Sequence, residues 1–127
     1  MKERIRIYIA SPYTNGDKQK LTDLQVEAAA ELLKLGFNPY APLLSHYIST
    51  FAKDMDQFPW VEVDIEWLKI CDLVIRLHPK DIKGNDIPSK GADEEEVYAR
   101  KNGIPLIHFD TISEMIRYFQ TFIWAKQ

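Results

Sequence analysis

Short apolar runs alternate with stretches of helical periodicity along this chain, and that alternation limits its fold more than any other feature. Ile5–Ala10 and Ile104–Phe109 read as buried strands, Asp72–Leu77 as a central strand and Asn38–Ala41 as a short one. Between them, Leu21–Leu35 has the spacing of an amphipathic helix stopped by Gly36. A second helix runs to about Ile70, with Asp56 able to cap it and Pro59 in its first turn. Ser89 opens a third helix that Gly103 closes, and Thr111 with Glu114 has the spacing of a capping box for a last one. The segment PLLSHYIST and the polar stretch His78–Pro88 read as loops. Apolar strands separated by helices imply a parallel sheet covered on both faces.

The expected fold is therefore a small doubly wound α/β domain of flavodoxin-like type, with residues 1–127 forming a single domain. In such sheets ligands bind outside the carboxyl ends of the strands. Here those ends bring up Tyr8–Tyr13, Pro42–Tyr47, His78–Pro88 and the start of the Ser89 helix. A net charge of −3 and the lack of a basic stripe argue against a nucleic-acid polymer as partner. No run approaches a membrane span, and the apolar run after Lys2, Arg4 and Arg6 is too short for a signal peptide, so a cytoplasmic protein is expected. The single cysteine, Cys71, reads as core packing. The loop SPYTNGDKQK holds one glycine, so neither a dinucleotide fingerprint nor a Walker loop is present. His46, His78 and His108 have no zinc-ligand spacing, and no metal is expected.

Two carboxylates fall where apolar side chains should be. In SKGADEEEVYARKNGIP, helical spacing groups Glu95 with Gly91, Ala92 and Ala99 on a close-packed face. Glu94 and Glu96 turn about 100° to either side, so changing them should matter little. Asp64 lies in the middle of the apolar stripe Trp60, Val61, Trp67, Leu68 and Cys71. An acidic first helical turn explains Asp93–Glu96 as well, and a capping or ion-pair role explains Asp64. Two inward carboxylates on separate elements also suit acid/base or nucleophilic chemistry on one small molecule. Ser89 fits both a plain helix cap and a phosphate ligand.

Taken together, these residues resemble the nucleoside 2-deoxyribosyltransferase superfamily, which includes the 2'-deoxynucleoside 5'-monophosphate N-hydrolases. IYIASPYT, with Tyr8, resembles the tyrosine-bearing end of that family's first strand. DIEWLKICD, Asp64 to Asp72, resembles its helix motif, and Ser89, Gly91, Glu95 and Ala99 its nucleophile motif. The resemblance covers most of the chain. It implies that Glu95 attacks C1' and forms a glycosyl-enzyme intermediate, that Asp64 protonates or orients the departing base, and that Tyr8 positions Glu95. Water or a second base would be the acceptor. Ser11, Ser89, Gly91 and His46 would contact a nucleotide or nucleoside substrate, without a cofactor. Serine at position 89 matches the phosphate-using hydrolases, whereas the transferases tend to carry aspartate. A homo-oligomer is expected from the resemblance and from Phe119, Phe122, Ile123 and Trp124, which exceed what one helix face needs to bury. The alternative is a catalytically idle nucleotide-recognition domain of the same fold.

Overall fold

A computed structural model describes residues 3–52 and 58–121. Four strands form one parallel sheet in the order β2-β1-β3-β4: β1 (Arg6–Ala10), β2 (Asn38–Tyr40), β3 (Leu73–Leu77) and β4 (Leu106–Phe109). β1 is flanked on both sides, with Tyr8 opposite Tyr40 in β2 and Val74 in β3. Because successive strand residues face opposite sides, the sheet has two distinct cores. Ile7, Ile9, Leu73, Ile75 and Leu77 pack against α1 (Lys18–Lys34) and α5 (Ile112–Thr121), where Leu32, Met115 and Phe119 are buried. Tyr8, Ala10 and Val74 face α3 (Trp60–Leu68) and α4 (Lys90–Lys101), meeting Leu68, Ala92 and Ala99. The strand order reverses direction between β1 and β3, which is where a doubly wound sheet opens a crevice. The expected doubly wound fold is present.

Local chemistry explains the boundaries. α1 starts earlier than its apolar periodicity predicts, because the Asp17 carboxylate accepts a hydrogen bond from the Lys20 amide at 3.0 Å. Ser89 caps α4 in the same way through the Ala92 amide at 3.2 Å. The expected capping box forms at α5: Thr111 Oγ1 accepts from the Glu114 amide at 3.1 Å, and the Glu114 carboxylate accepts from the Asp110 amide at 3.2 Å. Gly103, just past α4, sits at φ +68°, a conformation that L side chains rarely adopt.

Several expectations need correction. PLLSHYIST is not a loop. It forms a 3-10 turn, Pro42–Leu44, and then α2, Ser45–Phe51. Proline in the turn's first position and the absence of glycine downstream allow this winding. β4 is an edge strand that leaves His108 exposed, so the Ile104–Phe109 run is not uniformly buried. Phe119 is no surplus surface residue, since it packs on Phe37 and Phe109 in the α1/α5 core. Phe122, Ile123, Trp124 and the expected cap Asp56 lie outside the described residues. α3 is less embedded than its stripe suggested: Trp67 is half exposed and stacks on Tyr40, and Cys71 is only half buried. No helix among the described residues is long and apolar enough to cross a membrane.

Candidate active site

The alternation of β1 sends Tyr8 toward α4, and the face of α4 that carries Ala92 and Ala99 sends Glu95 toward β1. The two side chains meet there. The Tyr8 hydroxyl donates a hydrogen bond to Glu95 Oε2; Tyr8 is fully buried and Glu95 is 6% exposed. Glu95 and Asp64 line one cavity of about 180 Å³, together with Ser11, Ser89 and Gly91. Five of the seven residues singled out from the sequence thus share one space, with Tyr8 in contact with Glu95. His46 belongs to α2, and its side chain lies outside the described residues.

Burial controls the electrostatics. It pushes the Asp64 carboxyl up to about 7. It pushes Glu95 up to about 8, with the charges of Asp64 and Glu94 adding to the rise, while the Tyr8 hydrogen bond and Arg76 oppose it. Two carboxylates cannot both be comfortably ionised in one partly dry cavity. Tyr8 and Arg76 draw Glu95 toward the charged form without overcoming its burial, so of the two carboxyls Glu95 holds its proton to the higher pH. The Tyr8 hydroxyl itself is held protonated, far above its usual range, by burial and by the two nearby carboxylates. This brings two carboxyls that both titrate near neutral pH and a fixed hydroxyl donor into one cleft.

Ser89 takes its anticipated capping role and also borders the cavity. Its oxygen caps α4 by accepting from Ala92, and it lines the cavity, where the hydroxyl hydrogen remains available to a ligand. The first turn of α4 borders the same space through Gly91 and Ala92. A Cβ on Gly91 would meet Val61 at an ordinary 3.5 Å, so close helix packing does not require glycine there.

Three residues escaped the sequence reading. Gln25, fully buried on α1, donates to Ile9 O at 3.1 Å and Ser11 Oγ at 2.8 Å, and accepts from the Leu43 amide at 2.8 Å. It thereby ties the end of β1 to the turn that forms the opposite cavity wall. Its signal was present: Gln25 sits among Leu21, Thr22, Ala28 and Leu32 on the buried face of the helix. Asn15 Nδ2 donates to Pro88 O at 2.9 Å, fixing the approach to Ser89. Arg76, 5% exposed inside β3, pairs with Asp93 at 3.0 Å and Glu96 at 3.5 Å. Glu96, whose change was expected to matter little, is not a simple surface residue. Its side chain is only 12% exposed and faces a buried guanidinium.

No family model matches the chain, and no curated protein does. Among solved structures, the 2-deoxyribosyltransferase of the psychrotolerant bacterium Bacillus psychrosaccharolyticus, described as a biocatalyst for synthesis of antiviral and antitumoral nucleosides, is similar at 18% identity. The match covers 89% of this chain and 91% of that one, with a TM-score of 0.60. The chain shares the fold of that enzyme across nearly its whole length.

The raised Asp64 predicts a pH effect on stability. Folding lifts this carboxyl from 3.8 to about 7, so between those values the folded state holds a proton that the unfolded chain has lost. Stability from this group is fully present below about pH 4 and declines as pH rises through 7. The melting temperature of the native protein should fall between pH 5.5 and pH 8. Asp64→Asn should flatten that fall, and an unchanged slope would contradict the raised value.

Proposed function

We propose that this protein cleaves the N-glycosidic bond of a deoxynucleotide or nucleoside, with Glu95 as nucleophile and Asp64 as general acid. The observation that carries this reading is the buried Tyr8–Glu95 pair opening on a cavity that also holds Asp64. Glu95 attacks C1' as the bond from C1' to the base nitrogen breaks, and Asp64 delivers its proton to the departing base. Water then attacks C1', returns a proton to Asp64 and frees Glu95. The oxocarbenium-like transition state gains from a carboxylate already aimed and desolvated, as in retaining glycosidases. Tyr8 fixes the rotamer of Glu95 and keeps one of its oxygens occupied, which leaves the other to react. The resemblance of the motifs and the shared fold support the same reading.

Glu95→Gln should preserve the fold, checked by circular dichroism, and abolish base release from a panel of deoxynucleotides and deoxynucleosides. Retention of most of the activity would remove Glu95 from the nucleophile role. Asp64→Asn should slow turnover by roughly 10²–10⁴-fold, the usual contribution of a general acid. Because the acid loses its proton near pH 7 and the nucleophile ionises near 8, the native rate should peak between those values and fall on either side, and the variant should keep only the rise with pH. A substrate with a better leaving group should partly rescue the variant.

The substrate we favour carries a 5'-phosphate, with water as acceptor. Ser89 presents a hydroxyl where a carboxylate would repel phosphate, and the first turn of α4 borders the cavity. Lys18 Nζ lies 5.4 Å over the ring of Tyr13, a cavity residue, which brings a positive charge near the same opening. The 5'-monophosphate should be turned over faster than the matching nucleoside. Ser89→Ala should shrink that preference more than it harms nucleoside turnover. Equal turnover of the two by the native protein, or a transfer product on adding a second base, would sink this assignment.

Assembly as a homo-oligomer belongs to the same proposal, on different residues from those first expected. Val26, Leu33, Leu44, Ile48 and Trp67 are exposed along a groove that reaches Asp64. Apolar surface of that extent is characteristic of an interface. Light scattering at micromolar concentration should report a dimer or larger species, and Ile48→Glu should shift it toward monomer. A native monomer would count against the assembly.

A further inference from the structure

We propose that His78, His108 and Glu96 form a binding site for one divalent transition-metal ion of the zinc class. The three residues come from different elements. His78 follows β3, His108 lies in β4, and Glu96 is on α4. The parallel pairing of Arg76 with His108 and Leu77 with Phe109 brings the two imidazoles side by side. One ligating atom from each of the three residues lies within 4.8 Å of the others. No sequence spacing reveals this set, because the sheet rather than a helix or hairpin assembles it. None of the three lines the cavity of Glu95 and Asp64.

The contact between the imidazoles points to a shared cation. His78 Nε2 and His108 Nδ1 are 2.7 Å apart, with ring planes 16° from parallel and centroids 5.0 Å apart, so the nitrogens meet nearly head-on. Two ring nitrogens at that separation can hold one proton between them, and a metal ion can replace it. Two nitrogens on a tetrahedral zinc, each about 2.0–2.1 Å from the ion, are roughly 3.3 Å apart. A small swing of His108 provides that spacing, since its side chain is 44% exposed on the edge strand. Glu96 offers Oε1, a buried oxygen with no hydrogen-bond partner among the described residues; it lies 3.5 Å from His108 Nε2, the ring nitrogen that does not face His78, so the carboxylate turns toward the paired nitrogens to join them on one ion. Solvent on the exposed side completes the coordination.

The surroundings suit a cation as well. His78 Nδ1 faces Asp86 Oδ2 at 3.6 Å, the outer carboxylate partner that commonly orients a metal-bound histidine. Asp86 and Glu96 are the carboxylates that face the imidazoles, at 3.6 and 3.5 Å, and each also pairs with a cation, Lys80 and Arg76 respectively. Arg76 keeps Asp93 as its partner when Glu96 turns to the ion. Imidazole nitrogen with one carboxylate selects zinc, cobalt, nickel or copper over magnesium and calcium, which prefer oxygen.

The test uses the full chain without a polyhistidine tag, dialysed against chelator and then titrated with Zn²⁺ by calorimetry and with Co²⁺ by visible absorption. One equivalent of each should bind, and Mg²⁺ should not compete. His108→Ala, an exposed edge position that should fold normally, should weaken binding at least about 100-fold, and Asp86→Asn about 10-fold. Glu96→Gln should also weaken it, with melting curves confirming that this variant folds. Absence of binding by the native chain at about 100 µM metal would overturn the site. Undiminished binding by the double variant His78→Ala/His108→Ala would overturn it equally, by placing the ion elsewhere.

Discussion

The hydrogen bond from Tyr8 to Glu95 is the interaction on which the cavity depends. An uncompensated carboxylate at this depth costs several kcal/mol, and one donated hydroxyl and one nearby guanidinium offset part of that cost. Tyr8 reaches Glu95 only because β1 is held in register by a strand on each side. A slip of one residue would turn Tyr8 into the α1/α5 core and set an isoleucine against Glu95. The apolar pattern of β1 prevents this, since Ile7 and Ile9 have their own core to fill. Packing on one face of the sheet thereby fixes chemistry on the other.

The cavity walls rely on polar ties that bridge elements distant in sequence. Gln25 is the most connected of these, with both ends of its amide satisfied between β1, Ser11 and the Pro42–Leu44 turn. A buried amide with every partner in place rigidifies its surroundings, whereas a half-satisfied one would loosen them. Asn15 does comparable work for the approach to Ser89. The cavity walls beside Ser11 and Ser89 are thus tied by two amides that themselves have no acid/base chemistry.

Much of this was legible in the sequence because periodicity reports burial. Glu95 stood out at helical spacing among small residues, and Asp64 within an apolar stripe; both line the cavity. Ser89 could be placed because caps and anion sites share one local chemistry. Arg76 was hidden inside a run that otherwise reads as a plain buried strand, and its partners Asp93 and Glu96 lie a full element away. α2 was missed because Ser, His, Tyr and Thr favour neither helix nor loop strongly, leaving tertiary context to decide. The pairing of His78 with His108 depends on strand order, which spacing along the chain does not encode. Patterns within an element were readable, whereas of these contacts between elements only that of Tyr8 with Glu95 was expected, through the family resemblance.

The three consecutive glutamates of α4 show how one helix serves several environments. Each residue advances about 100° around the axis, so Glu94 meets solvent, Glu95 meets Tyr8 on β1, and Glu96 meets Arg76 on β3 and His108 on β4. Identical side chains therefore differ in burial and partner purely through rotation. Rotating α4 by one residue would place Glu94 or Glu96 against Tyr8 and swing Glu95 away from the cavity. Ala92 and Ala99 oppose that rotation, because they fill the narrow space above Tyr8 and Val74 that no charged side chain could enter. The helix register that buries two alanines is the same one that aims Glu95 into the cavity and Glu96 at the paired imidazoles. Neither glutamate can be repositioned without disturbing the other.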